Sequence, residues 1–192
     1  LFRSTEGYRR LLSRGITTVG VAGVSALHAR TLENARADDT PLRLCIALST
    51  TLIDEAAARK RAMLPAESGV RYGAVKVFHG GSVSAHTCWV TEPYIGIENR
   101  FGLEPARSQK ELNVLLQNIH SAGLQAWVHC NGDCEIDMVV TAFEQVLRTS
   151  PRADHRHRLE HCSVMTPELL RRIQALDLVL VAHSYMLEHG DI

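Results

Sequence analysis

The sequence predicts an α/β fold in which short strands alternate with longer helices. Two observations support this prediction: β-branched apolar runs recur along the chain, and amphipathic stretches with helix caps lie between them. A strand–helix repeat of about 30 residues indicates parallel strands joined by crossover helices. Two architectures satisfy this pattern, an open doubly wound sheet and a closed (β/α)8 barrel. No glycine-rich phosphate-binding motif follows any strand, which disfavours the nucleotide-binding form of the open sheet.

Each element is predicted from its residue types and its boundary signals. The predicted strands are 15–21, 42–48, 74–78, 124–129, 157–161 and 178–183. The predicted helices, with their caps, are 25–37, 52–63, 108–123, 134–149 and 166–176. Ser108 and Glu111 form a capping box, Gly123 ends that helix, and Thr166 followed by Pro167 begins the last one. The longest irregular stretch, 87–107, is expected to be an ordered loop.

Composition excludes several classes of protein. The 192 residues carry 21 Lys plus Arg and 21 Asp plus Glu, so the formal charge is zero and a nucleic-acid partner is not expected. No apolar run is as long as a membrane helix, and the first residues do not resemble a secretory signal. Five cysteines cannot form a fully paired disulfide framework. We therefore expect a cytoplasmic protein without membrane or nucleic-acid partners.

Polar residues fall at the ends of the predicted strands. Lys76 lies inside an apolar strand, and His129, His161 and His183 end three later strands. The carboxyl ends of parallel strands share one face of the sheet, and that face carries the active site in α/β enzymes. A buried cation together with several imidazoles is typical of a metal site, and imidazole suits zinc. These residues are the candidate site.

The chain resembles the amidohydrolase superfamily, and in particular the branch called amidohydrolase family 3, which includes N-substituted formamide deformylases. The residues that carry the resemblance are 15–19, 76–81, 126–133 with Asp137 and 142–144, and 157–162. The resemblance extends over nearly the whole chain, in order, spacing and position at strand ends.

This resemblance implies a metal-dependent hydrolase on a (β/α)8 TIM barrel. It implies that Lys76 is carbamylated and that Lys76, His129 and His161 bind one or two divalent metal ions, with zinc expected. A metal-activated water would then hydrolyse a C–N bond in a small amide, formamide or cyclic amide substrate. His183 is expected to bind substrate or stabilise the oxyanion, with an ordinary surface role as the alternative.

Two departures from the family pattern shape the domain prediction. The family has a His-x-His pair on its first strand, whereas the pair in this sequence is His155-x-His157; an Asp on an eighth strand is also lacking. Residues 1–192 are therefore interpreted as the central part of an incomplete barrel, strands 2 to 7, without the first strand, the eighth strand and an accessory β-domain. The alternative function is a truncated, non-catalytic barrel fragment. Open edges at Ile16 and Leu178 would favour self-association into a homo-oligomer.

Ordinary structural roles compete with the metal-site interpretation. Lys76 could pair with Glu160, and His129 and His161 could be hydrogen-bonded core residues. Arg158 and Glu160 are expected to form a structural ion pair that faces the helix layer.

The loop after the fourth predicted strand has two interpretations. Asn131 and Asp133 could orient the neighbouring ligand His129 through hydrogen bonds. They could equally be loop residues, with Asp133 capping a helix that begins at Cys134.

Overall fold

The computed structural model describes residues 2–36, 42–62 and 69–182. Within these ranges the helices are α1 Phe2–Ser13, α2 Ala26–Arg36, α3 Ile53–Arg61, α4 Gln109–Ser121, α5 Asp133–Thr149 and α6 Pro167–Ala175. The strands are β1 Thr18–Val24, β2 Arg43–Ser49, β3 Val70–Phe78, β4 Gln125–Cys130, β5 Arg158–His161 and β6 Val179–Ala182. The predicted alternation of strands and helices is therefore confirmed.

The largest differences from the sequence prediction lie near the amino terminus. Helix α1 was not predicted, because its sequence is mostly polar and contains Gly7. The strand predicted from residue 15 begins at Thr18, since Gly15 adopts a φ of 78° and closes the end of α1. Its N–H donates to the Leu12 carbonyl over 2.9 Å. Only glycine adopts such a backbone conformation without strain.

The chain divides into two compact units. The first comprises residues 1–76 and 122–124, and its strands β1, β2 and β3 pair in parallel in chain order. Leu44, Ile46 and Leu48 of β2 are almost completely buried and form the centre of this unit. A polar cluster stabilises its edge: Arg59 donates to the Glu33 carboxylate over 2.9 Å, and the Tyr72 hydroxyl donates to the same oxygen over 2.7 Å.

The second unit comprises residues 77–121 and 125–192, and its strands β4, β5 and β6 are also parallel and in chain order. Helix α5 contributes six residues to the core, because one face of the helix is apolar and buried. Its buried apolar residues are Ile136, Val139, Val140, Ala142, Phe143 and Val146. Helix α6 begins as predicted, with the Thr166 hydroxyl accepting the Leu169 N–H over 3.2 Å and Pro167 at the first position.

The irregular stretch before α4 has a small core of its own, as the prediction of an ordered loop requires. Val83, Cys88 and Val90 are buried together, and Tyr94 packs against them. The Tyr94 hydroxyl donates to the Cys88 carbonyl over 3.0 Å. This loop therefore has a defined conformation from which it can hold functional groups.

Parallel strands with intervening helices confirm the α/β class. The eight-stranded closure, and with it the number of missing strands, stays a prediction. Among the described residues, no helix combines the length and the apolar character that crossing a bilayer would require.

Candidate metal centre

The predicted site residues are distributed over both units. Lys76 is 4% exposed, belongs to the first unit and lies beside Ser49 of the neighbouring strand. His129 is the penultimate residue of β4, and His161 is the last residue of β5; both belong to the second unit. His183 lies outside the described residues. The convergence of Lys76 with the two histidines stays a prediction.

His129 and His161 lie next to each other. Their ring centroids are 4.6 Å apart and the rings are tilted by 68°. The register pairs His129 with Glu160, and pairs His161 with Cys130, which is completely buried. Simple alternation would therefore place the His161 ring on the face opposite His129.

The backbone at His161 explains this exception. His161 has a φ of 77° and Cys162 a φ of 48°, both in the left-handed region that residues with a side chain rarely adopt. The strand pleat ends there, and the His161 ring lies beside His129. Strained conformations of this kind cluster at functional sites.

The tautomer of His129 follows from its hydrogen bond. Its Nε2 lies 2.7 Å from the Gly81 carbonyl oxygen, which can only accept, so Nε2 carries the proton. The Asn131 amide donates to the same oxygen over 2.8 Å and accepts from the Ser163 hydroxyl over 2.8 Å. Nδ1 of His129 then carries the lone pair that a metal ligand needs.

Asp133 does not cap the helix as one alternative expected. Helix α5 begins at Asp133 itself, with Gly132 at the N-cap position. The Asp133 carboxylate instead accepts hydrogen bonds from the backbone N–H of Thr91, over 3.0 Å, and from the Thr91 hydroxyl. The interpretation of Asp133 as the cap of a helix beginning at Cys134 is wrong. Asp133 therefore connects the irregular loop that contains Thr91 to the start of α5 through these hydrogen bonds.

Sequence reasoning missed Glu135. This residue is completely buried, and its carboxylate accepts four backbone N–H groups. Oε1 accepts from Gly81 and Trp89, each over 2.8 Å, whereas Oε2 accepts from Asn131 over 2.7 Å and from Gly132 over 3.1 Å. A signal was present, since Glu135 occupies the first turn of a helix that follows a glycine, where an acidic side chain finds backbone donors.

His79 follows β3 and is 1% exposed. Among the described residues, neither of its ring nitrogens has a hydrogen-bond partner. Burial and the nearby charge of Arg107 lower the pKa of His79 from 6.5 to about 4, so this imidazole is neutral near neutral pH. Its backbone N–H donates to the His129 carbonyl over 3.1 Å. His79 is thus a buried neutral residue behind the candidate ligands.

The ion pair between Arg158 and Glu160 is confirmed, with Nη2 and Oε1 2.5 Å apart. Its expected orientation is wrong. His157, which precedes β5, stacks on Phe143 of α5 with ring centroids 4.8 Å apart, so by alternation Leu159 also faces the helices and Arg158 does not. Arg158 lies on the other face, where its guanidinium covers the Trp127 ring at 3.4 Å.

The residues of the second unit provide some, but not all, of the ligands that a metal ion needs. Two imidazoles lie side by side, and His129 offers Nδ1, so the second unit supplies two of the nitrogen ligands that zinc prefers. Among the described residues, no group of three or more His, Cys, Asp or Glu side chains could hold a metal ion. A further ligand of another type, such as a carbamylated lysine, would be required.

Comparison with known proteins decides the family. A sequence model of the amidohydrolase family matches residues 5–189. The chain belongs to the amidohydrolase family. The resemblance inferred from the motifs is thereby confirmed at the family level, while the formamide deformylase branch stays a prediction.

Two relatives are distant in sequence and longer than this chain. The chain is 31% identical over 120 residues to "Protein LONG AFTER FAR-RED 3" of Arabidopsis thaliana. It is 27% identical over 111 residues to "Putative amidohydrolase YtcJ" of Bacillus subtilis (strain 168). These matches cover 62% and 58% of this chain and 20% of each relative. The chain therefore matches about a fifth of the length of these relatives.

Solved structures share the fold. An uncharacterized metal-dependent hydrolase from Pyrococcus furiosus superposes with a TM-score of 0.80 and 24% identity, over 96% of this chain and 38% of that protein. One from Pyrococcus horikoshii OT3 gives a TM-score of 0.78 and 20% identity, over 95% and 36%. At these identities the likeness shows the fold alone.

Proposed function

We propose that this chain contributes the metal-binding end of an active site that hydrolyses a C–N bond in a small amide, formamide or cyclic amide. The observation that carries the proposal is the pair His129 and His161, with rings 4.6 Å apart at the ends of two adjacent parallel strands. Family membership supports a hydrolase, since the metal-dependent hydrolases that share the fold are named for that activity. Zinc is our preferred metal because imidazole suits it.

The ligands proposed are His129 through Nδ1, His161, and Lys76 in its carbamylated form. When bound, a divalent ion lowers the pKa of a water molecule towards neutrality and stabilises the negative charge that develops on the attacked carbonyl oxygen. Carbamylation joins carbon dioxide to the neutral Lys76 amine with loss of one proton. Starting from the ammonium form two protons are lost, and a carbamate with two oxygen atoms would replace the buried cation. Burial of Lys76 supports this assignment, because an ammonium is costly to bury.

The remaining residues act on these ligands. The Gly81 carbonyl holds the His129 proton on Nε2, and Asn131 shares that carbonyl and links it to Ser163. Hydrogen bonds of this kind orient metal-bound histidines in other proteins. For His183 we propose contact with the substrate or with the developing oxyanion.

The test is removal of one ligand. His161→Ala should lose bound zinc, measured by elemental analysis after incubation with Zn²⁺ and dialysis. With a panel of N-formyl and N-acyl amines, any turnover by the parent chain should disappear in this variant rather than shift in KM, because water activation requires the ligand.

The matched control is His28→Ala, which removes an exposed histidine of α2 and should retain the parent zinc content. Zinc retention by His161→Ala would contradict the proposal. Zinc binding without turnover on any amide would instead favour the non-catalytic alternative.

A further inference from the structure

We infer that Glu135 is a positioning residue that sets the tautomer and orientation of His129 through the Gly81 backbone. The inference deepens the proposed function, and it rests on that function only in treating His129 as a metal ligand. The hydrogen bonds on which it depends all lie within the second unit, and they can be measured without metal or substrate.

The Glu135 carboxylate joins two loops that lie far apart in sequence. Gly81 and Trp89 belong to the loop after β3, and they donate to one oxygen. Asn131 and Gly132 belong to the turn after β4, and they donate to the other. All four donors are backbone N–H groups, so a single buried side chain fixes the position of both loops.

Gly81 transmits this constraint to His129. Its N–H donates to Glu135 over 2.8 Å, and its carbonyl accepts the proton of His129 Nε2 over 2.7 Å. The next peptide is held as well, since the Ser82 N–H donates to the Thr87 hydroxyl over 2.9 Å. The carbonyl that determines the His129 tautomer is thus held on both sides.

Three glycines make room for the carboxylate and its donors. A Cβ at Gly80, which has a φ of 105°, would overlap the Glu135 carboxyl group. A Cβ at Gly81 would overlap the Thr87 carbonyl, and one at Gly132 the Trp89 carbonyl. The two loops can approach Glu135 closely because these positions lack side chains.

The arrangement requires a carboxylate. Two oxygens that only accept can serve four N–H donors, whereas the amide of glutamine offers one accepting oxygen and one NH₂ group. In Glu135→Gln that NH₂ group would face two backbone N–H groups. The variant keeps the shape of the side chain and breaks one half of the network, so it separates the hydrogen bonds from packing.

The experiment reads the His129 tautomer by two-bond proton–nitrogen NMR correlation at mildly alkaline pH, with His129→Ala used for assignment. In the parent chain we expect the Nε2–H tautomer alone. In Glu135→Gln we expect a mixture that includes Nδ1–H, together with zinc affinity reduced roughly 10- to 100-fold. The control Glu144→Gln changes a half-exposed glutamate of the same helix that pairs with Arg172, and it should retain both properties.

The outcomes are distinct. If Glu135→Gln folds and His129 remains purely Nε2–H, the inference is overturned. If Glu135→Gln does not fold, Glu135→Asp, which keeps both accepting oxygens on a shorter side chain, is measured for the same tautomer shift. A parent chain whose His129 is Nδ1–H overturns the inference without any variant. If the tautomer shifts but no form binds zinc, the positioning role stands and the proposed metal site fails.

Discussion

Histidines gather at both ends of the strands of the second unit, and the two groups use their nitrogens differently. The carboxyl-end group is His79, His129 and His161. The amino-end group is His120, His155 and His157. In the amino-end group each ring nitrogen has a hydrogen-bond partner within the protein, whereas Nδ1 of His129 has none among the described residues.

The amino-end group forms a relay with defined tautomers. The Ala126 N–H donates to His157 Nδ1 over 3.0 Å, so the His157 proton is on Nε2. That proton faces His120 Nδ1 at 2.9 Å, and His120 in turn donates from Nε2 to the Ser150 carbonyl over 2.9 Å. Each of these hydrogen bonds has one donor and one acceptor only if the His157 and His120 rings are both neutral.

His155 completes the group. Its Nδ1 accepts the His157 N–H over 3.1 Å, and its Nε2 donates to the Leu176 carbonyl over 2.9 Å. The His157 ring lies between two others, stacked on Phe143 at 4.8 Å and on His155 at 5.0 Å. The His-x-His pair in this sequence is therefore structural. A ring nitrogen without a protein donor thus distinguishes the candidate ligand His129 from the three histidines of the amino-end group.

The largest expected effect is on stability at the amino end. His157→Ala should lower the free energy of unfolding by about 3 kcal/mol, since it leaves a cavity against Phe143 and deprives the Ala126 N–H of its acceptor. His161→Ala should change it by less than about 1 kcal/mol, because His161 is only partly buried at the end of its strand. Urea denaturation of both variants measures the contrast, and equal losses would remove the distinction between the two groups.

The second prediction concerns the dependence of the unfolding free energy on pH. Burial, with smaller effects of His155 and Arg152, lowers the pKa of His157 from 6.5 to about 2; burial also lowers the pKa of His120. Below pH 6.5 the unfolded chain binds protons that the folded chain does not. The free energy of unfolding is therefore highest above this pH and decreases as the pH falls. The protonation of His157 in the unfolded chain alone should lower the free energy of unfolding by about 2 kcal/mol between about pH 7 and about pH 5.

The variant for this test is His157→Phe, which retains an aromatic ring against Phe143 but cannot titrate. Its unfolding free energy should depend less steeply on pH than that of the parent chain. A parent-like slope in His157→Phe would mean that His157 is not held neutral in the folded chain.

Local signals predicted most of the strands and helices, and they placed His129 and His161 at the ends of adjacent strands. The strands were recognisable because β-branched runs ended at glycine or at polar residues, and the caps at Thr166 and Ser108 identified two helices. Helix α1 was not predicted because its sequence is mostly polar and contains Gly7. The ligand candidates His129 and His161 were recognisable because strand ends can be located from sequence.

The features that the sequence did not predict depend on which segments meet in the folded structure. Gly81 and Glu135 are 54 positions apart, and their hydrogen bond requires two loops to meet at glycines with no room for a Cβ. Periodicity carries no information about such a meeting. The orientation of Arg158 was predicted on the wrong face, because alternation was counted back from His161, where the left-handed backbone interrupts the pleat.

The smallest expected effect concerns His79, which has the burial of the amino-end histidines without their hydrogen bonds. Among the described residues its ring nitrogens lack partners, so replacing the ring with an apolar side chain removes a desolvated polar group and breaks no hydrogen bond. His79→Leu should therefore be neutral or raise the unfolding free energy by about 1 kcal/mol. The matched control is His120→Leu, which should destabilise the chain because both nitrogens of His120 are bonded. Urea denaturation at neutral pH compares the two variants. If His79→Leu lost as much stability as His120→Leu, ordered water would have to satisfy His79, and the two histidine groups would differ in the source of their partners rather than in their number.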